Sequence, residues 1–551
     1  MFILSSLNRN ILLEKLSSES FDLLVIGGGI TGAGIALDGA SRGIKTALIE
    51  KQDFASGTSS RSTKLIHGGL RYLKNFEFGL VQEVGHEREI AYRNAPHLVI
   101  PEKMLLPLVK GGTYGEMATS FGLFVYDMLA GVKMGEWRKM LSKEETLKEE
   151  PLLRSDILQG GGLYTEYRTD DARLTLEVIK TAAKSGAVPL NYLEAKNFIY
   201  ENQKVSGVEC EDVFTKKIIR IKAKQVVNAA GPWVDKVRAN DHSLSGKRLH
   251  LTKGVHIVVS KKRLPLRHSV YFDTEDGRMI FAIPRGNISY IGTTDTDYSG
   301  NIENPLVTNE DCNYLLKAAA NMFPSVNLSR SDILSSWCGL RPLIHEEGKS
   351  PSELSRKDEI FISQSGLISI AGGKLTGYRK MAEKIVQQVG RNLNIFVSCK
   401  TSAIKICGGE FDFPGQVVKY IDEISEKIKM LNLNKYFAGY LVRTYGKQTD
   451  VILEKFSELV SEGNLKKDIN DNEIYLAKAE LWFGVNNESV QKLQDFFIRR
   501  TGRLFFEPAS VQKLLYPIAN EMKNYFNWDE KKLLGEIKEM EILLKQSVTF
   551  E

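Results

Sequence analysis

Three features of the chain predict an α/β fold in which a Rossmann-like domain carries an antiparallel-sheet cap and is followed by a C-terminal helical domain. The first is an apolar strand that runs into a glycine-rich turn and a helix, within FDLLVIGGGITGAGIALDGASRGIKTALIEK. The second is a set of short strand-like segments separated by Asp276-Gly277 and Gly286-Asn287. The third is a change of texture beyond about residue 400, where apolar residues recur at three- and four-residue steps.

In the first feature, Leu23 to Ile26 reads as a buried parallel strand and Lys45 to Glu50 as the next one. Between them, Gly27-x-Gly29-x-x-Gly32 matches the dinucleotide fingerprint. Its glycines permit a sharp turn and close backbone approach, and the helix that follows presents unpaired N–H groups to a pyrophosphate. Glu50 stands about 20 residues past the glycines, where an acid suits a ribose diol and would repel the 2′-phosphate of NADP. An NAD-binding fold usually continues as alternating strands and helices, whereas here the polar loop FASGTSSRSTKLIHGGLR follows. That favours FAD, held by long loops. Two later segments fit the same picture. KAKQVVNAAGPW is a strand ending in the small residues Ala229, Ala230 and Gly231. In GLISIAGGKLTGYRKMAEKIV an apolar strand meets Gly372-Gly373, and Thr376 is placed to cap a helix from about Gly377. A helix N-terminus there would suit the electron-rich edge of a reduced flavin.

The second feature comprises HIVV, SVYFD, RMIFAIPR and ISYIGTTD, antiparallel strands joined by tight turns that form much of the cap sheet. Residues 1–95, 160–245 and 345–395 are expected to assemble a discontinuous FAD-binding domain, with 96–159 and 246–344 as the substrate-binding cap. The third feature, residues 400–551, reads as a separate helical domain after a linker near TSAIKICGGEFDFPG. In its last helix Leu533, Leu534, Ile537, Met540, Leu543 and Leu544 form an apolar stripe.

Composition excludes more than it selects. A chain of 551 residues with 42% hydrophobic and 26% charged residues is an ordinary multidomain globular protein. The five cysteines are odd in number, widely spaced and free of a C-x-x-C pair, which argues against a disulfide framework and a zinc site and for a reducing cytoplasm. No metal site is expected. The first 20 residues lack a basic leader and cleavage site, and no apolar run approaches the ~18 residues that span a bilayer. The net charge of +6 is interspersed, without the basic stripe and aromatic interleaving of a nucleic-acid surface.

Taken together, IGGGITGAGIALDGASRG, GTSSRSTKLIHGGLRYL, YRTDDARL, NAAGPWVD, TKGVHIVV, IGTTDTDY, GLRPLIHEEG, SRKDEI and AGGKLTGYRK resemble the FAD-dependent glycerol-3-phosphate dehydrogenases of bacteria. The resemblance runs nearly end to end. It implies oxidation of sn-glycerol-3-phosphate to dihydroxyacetone phosphate by hydride transfer from C2 to flavin N5, with electrons passed to a membrane quinone. It further implies peripheral attachment to the inner face of the cytoplasmic membrane, and it is compatible with a homodimer. An oxidase on the same scaffold that hands electrons to O₂ and makes peroxide is the alternative. A tRNA-modifying flavoprotein and an NAD-dependent dehydrogenase are the readings from other classes.

The chemistry requires a base and an anion anchor. A neutral histidine suits the first. His256 in TKGVHIVV is preferred, its alternative role being a hydrogen bond to a neighbouring strand; His67 reads as a contact to the cofactor. The anchor must hold a phosphate, which an Arg fork grips at two oxygens. Candidates are Arg71, Arg341, Arg356 and Lys374, with Arg341 also reaching the reacting oxygen. In STKLIHGGLRYL, Gly68-Gly69 would let backbone approach the flavin, Arg71 and Tyr72 would face substrate, and Ser62 and Lys64 would serve the cofactor, as would Thr58, Ser59, Ser60, Gly373 and Leu375. The Asp170-Asp171 pair reads chiefly as a helix start. Leu4, Leu7, Ile11, Leu12 and Leu16 at near-helical steps, and the apolar Ser120 to Gly131 stretch, could lie in a membrane interface or pack into the core.

Overall fold

The structure is a computed structural model that describes residues 4–67, 78–112, 138–345, 358–372, 374–462 and 469–550. Its first sheet is built on Ser20–Ile26, which pairs in parallel with Thr46–Ile49 on one side and Ile218–Asn228 on the other. Val188–Leu190 extends the sheet past Thr46–Ile49, Ile368–Ala371 extends it past Ile218–Asn228, and Glu359–Ile362 closes that edge antiparallel. Leu23, Leu24 and Val25 are wholly buried, as a parallel strand covered on both faces requires. Helices Ile30–Ser41, Asp171–Lys184 and Tyr378–Leu393 cover one face, packing Ile35, Leu174 and Ile385 against Val25 and Val227. Asp170 caps the second of these by accepting the Arg173 N–H at 3.2 Å, the role expected of it.

The other face is covered by the Arg9–Ser18 helix and by the antiparallel strands Leu193–Glu201 and Lys204–Asp212. The N-terminal apolar residues divide. Leu4, Leu12 and Leu16 enter the core, whereas Leu7 and Ile11 are 54% and 51% exposed.

The second sheet is mostly antiparallel and contains the expected meander of Ser269–Asp273, Met279–Arg285 and Ile288–Gly292, beside Leu249–Ser260. Gly277 and Gly286 take positive φ at its turns. Leu158–Arg168 also belongs to this sheet, between Ile100–Val109 and Leu65–Ile66. Residues 160–168, expected in the dinucleotide domain, are therefore cap strands. Gly160 permits this, because an added Cβ would stand 2.7 Å from the Leu141 carbonyl oxygen of the adjacent strand.

Alternation divides the cap's residues between two faces. Val255, Ile257 and Val259 pack under the Asn309–Met322 helix. Val258, Tyr290 and Trp337 pack against Phe496, Phe505 and Leu514 of the C-terminal helices. The C-terminal region is helical, as expected; one half has its own core around Tyr420, Leu441 and Phe456, and the other packs into a core with the cap. In the last helix Leu533, Ile537 and Met540 are buried and Leu534 is exposed.

Candidate active site

A cavity of about 350 Å³ opens at the carboxyl ends of the first sheet's strands, the position where open α/β sheets bind ligands. Gly27, at φ +115°, makes the turn, and a Cβ there would stand 2.5 Å from the Ala229 carbonyl oxygen. On Gly32 a Cβ would collide with the Gly27 carbonyl oxygen, so this glycine serves the packing of helix on turn and lies behind the wall. Gly29 precedes the Ile30–Ser41 helix without a side-chain cap, leaving that N-terminus facing the cavity it lines. Ser59 Oγ accepts the Ile30 N–H at 2.9 Å.

Glu50 lines the same end, its oxygens accepting the Gly28 N–H at 2.7 Å and the Gln52 N–H at 2.9 Å. Burial pushes its carboxyl above the usual range, against the pull of those two donors. Thr58 and Ser59 supply one wall, Ala230 and Gly231 the opposite one. A dinucleotide fits this set: bare backbone where a phosphate would approach, a helix N-terminus that lines the cavity, and an acid at the ribose position.

Ser62, Lys374 and Leu375 line the far end. Burial lowers the Lys374 ammonium to about 7. Ser60 is buried beside the wall. Lys64 is also buried and does not reach the cavity; its ammonium pairs with Asp171 Oδ1 at 2.6 Å and donates to the Ser60 carbonyl at 3.0 Å. Asp171 in turn accepts the Ser62 hydroxyl at 2.7 Å. Lys64 is thus linked to the wall through Asp171 and Ser62. Thr376, expected to cap the Tyr378–Leu393 helix, donates instead to the His67 carbonyl at 3.1 Å, and Gly377 takes the cap position. The helix starts two residues later than Thr376, which frees that hydroxyl to tie the two loops together.

Above this end lies the cap strand Leu249–Ser260, with Thr252 opposite Arg341 and His256 opposite Trp337 on one face. The Arg341 guanidinium leans over Gly254, where a Cβ would stand 2.6 Å from Nη2. It is held by Asp295 at 2.9 Å, the Thr293 hydroxyl at 2.9 Å and the Thr294 carbonyl at 3.1 Å. His256 stacks on Trp337 at 4.8 Å, and its Nε2 lies 3.1 Å from the Thr63 hydroxyl. Its Nδ1 is buried with no hydrogen-bond partner among the described residues. Burial, then the charges of Arg341 and Lys64, hold its pKa well below the ordinary value. The structure thus brings His256 and Arg341 together, although only the neighbouring Pro342 enters the cavity wall. Gly68, Gly69, Arg71, Tyr72, Arg356 and Gly373, with the Ser120 to Gly131 stretch, lie outside the described residues.

Sequence reasoning missed Trp233 and Asp171 as wall residues and Thr63, Thr293 and Asp295 as supports. Each lies in a segment already singled out, Trp233 in NAAGPW, Asp171 in YRTDDARL, Thr63 in STKLIHGGLRYL and Thr293 and Asp295 in IGTTDTDY.

A glycine-cradled cavity at the carboxyl edge of a parallel sheet, with an antiparallel sheet beside it, defines a dinucleotide-binding protein. Residues 22–379 match the family model of the FAD dependent oxidoreductases, and residues 399–533 match that of the C-terminal domain of alpha-glycerophosphate oxidase. The aerobic glycerol-3-phosphate dehydrogenase of Bacillus subtilis (strain 168) is 52% identical over 532 residues, covering 96% of this chain and 95% of that one. Its counterpart in Staphylococcus haemolyticus (strain JCSC1435) is 48% identical over 551 residues, covering 99% and 98%. The crystal structure of the glycerol-3-phosphate dehydrogenase from Bacillus halodurans complexed with FAD superposes with a TM-score of 0.85 at 45% identity, covering 100% of this chain and 99% of that one. The chain belongs to the FAD-dependent oxidoreductase family and, within it, to the aerobic glycerol-3-phosphate dehydrogenases. Among the described residues no helix is long and apolar enough to cross a membrane.

Proposed function

We propose that the protein oxidises sn-glycerol-3-phosphate to dihydroxyacetone phosphate and passes the electrons to a membrane quinone. The observation that carries this reading is the near-complete alignment with the aerobic glycerol-3-phosphate dehydrogenase of Bacillus subtilis, 52% identical over 532 residues. The cap geometry supports it. When bound, FAD supplies the hydride acceptor, at its N5. His256 takes the hydroxyl proton: its depressed pKa keeps it neutral at cytoplasmic pH, and in the tautomer whose Nε2–H donates to Thr63, Nδ1 has a lone pair to offer. Arg341, oriented by Asp295 and Thr293, steadies the reacting oxygen. Lys374 grips the phosphate, joined by Arg71, Tyr72 and Arg356.

Residues 56–59, 62, 374 and 375 form part of the cofactor wall, with the first sheet as FAD domain and the second as substrate cap. Exposed Leu7 and Ile11 support peripheral attachment to the inner face of the membrane. Anaerobic addition of sn-glycerol-3-phosphate to the purified holoenzyme should bleach the oxidised flavin band, and glycerol or lactate should not. An unbleached flavin would refute the substrate. Reoxidation by a soluble quinone without stoichiometric peroxide separates the dehydrogenase from the oxidase.

A further inference from the structure

Asp53 lies three residues past Glu50, and hydride transfer makes no use of it. Its carboxylate is fully buried. One oxygen accepts Arg499 Nε at 2.5 Å and Arg500 Nη1 at 2.6 Å; the other accepts Arg500 Nη2 at 2.8 Å and Asn191 Nδ2 at 2.9 Å. Arg500 is 447 positions further along the chain, on the π-helical turn Asp495–Arg500 of the C-terminal region. Such turns are rare and concentrate where a site needs them. Further donors are engaged: Arg499 Nη2 reaches Asp495 at 2.6 Å, and Arg500 Nε and Nη2 reach the Glu488 carbonyl at 3.0 and 2.6 Å.

What this clasp holds is the cofactor loop. Phe54 is buried against Gly28, where a Cβ would stand 2.7 Å from its ring. The Ala55 N–H donates to the Gly28 carbonyl at 3.0 Å, with Ala55 in the left-handed region at φ +63°. Ser56, Gly57, Thr58 and Ser59 follow as cavity wall. A buried ion cluster is a weak source of stability, and in some proteins its use is to fix one geometry. Here that geometry is the edge of the fingerprint turn.

We propose that the C-terminal helical region retains the cofactor: Arg499 and Arg500, acting through Asp53, hold loop 53–59 in the shape that binds FAD, and are positioning residues. The proposal rests on the FAD assignment. Its test measures the FAD dissociation constant of the full chain by flavin fluorescence, below the melting temperature of every variant. Arg500→Met should weaken FAD at least tenfold. Arg500→Lys, which keeps the charge but not the fork, should fall between it and wild type. With FAD saturating, kcat and KM for sn-glycerol-3-phosphate should return to within twofold of wild type.

Glu480→Gln is the control for general loosening. Glu480 is buried and accepts Arg503 at 2.9 Å, Tyr440 at 2.7 Å and Tyr445 at 3.0 Å, away from Asp53. It should lower Tm and leave FAD affinity within twofold. Equal weakening in Glu480→Gln and Arg500→Met, or unchanged affinity in Arg500→Met, overturns the proposal. Should Arg500→Met be insoluble, Arg500→Lys and Asp53→Asn decide by the same comparison. A wild-type chain that binds no FAD would overturn the cofactor assignment as well, whereas unaltered variants beside an FAD-binding wild type overturn the clasp alone.

Discussion

Replacing Gly27 by alanine tests the cofactor cradle most directly, because two independent penalties meet there. The φ of +115° lies where L-residues are strained, at a cost on the order of 1–3 kcal/mol. The new Cβ would stand 2.5 Å from the Ala229 carbonyl oxygen, where ordinary contact begins at 3.4 Å. Relieving that contact moves either the turn or the end of the Ile218–Asn228 strand by nearly an ångström, at about 1–3 kcal/mol for overpacking. Both carry cavity wall, and both hang on short backbone bonds, Gly27 N–H to Ile49 at 2.8 Å and Ala229 N–H to Ile26 at 2.8 Å. The opposing term is the loss of unfolded-chain entropy, which favours alanine by about 0.4–1 kcal/mol. The net is a destabilisation of about 1–6 kcal/mol. If only about 1.4 kcal/mol of that falls on the bound geometry, FAD weakens tenfold. Flavin fluorescence quenching and a thermal melt of the holoenzyme check this. A Tm equal to or above wild type, with FAD affinity within twofold, would refute both the strained turn and the cradle built on it.

Three further outcomes are expected. Arg341→Ala should raise KM for sn-glycerol-3-phosphate steeply and lower kcat, and unphosphorylated glycerol should be almost inert with the wild type. A unit-charge pair at 4 Å is worth about 4 kcal/mol at an effective dielectric of 20, less here for partial exposure and desolvation; steady-state kinetics that match wild type would remove Arg341 from the site. Lys374, lowered to about 7 by burial, should lose its proton as pH rises through that value, so kcat/KM should fall on the alkaline side and Lys374→Arg should shift the fall upward. A pH profile identical in the two proteins would contradict the assignment. Finally, His97 and His256 are buried with pKa values held below the ordinary histidine value. As pH drops below about 6.5 the unfolded chain takes up protons that the folded one refuses, and stability declines. Tm measured from pH 7 to 5.5 should fall less steeply in His97→Gln; equal slopes would mean that His97 does not remain neutral.

Local signals made much of this legible in the primary structure. The uninterrupted apolar run Leu23 to Ile26, the three glycines behind it and Glu50 are close in sequence and act on one another directly, so their spacing alone announced the nucleotide cradle. The same holds for the meander, whose turns at Gly277 and Gly286 need positive φ. Only the tertiary structure decided that Lys64 is buried against Asp171 and that Thr376 bridges to His67. It also decided that residues 160–168 pair with the cap and that Asp53 belongs to Arg499 and Arg500. The side-chain partners among them stand 107 to 447 positions apart. Spacing along a chain records which residues share a turn or a face, while burial and ion pairing depend on which surfaces meet when the layers close, and no periodicity carries that information.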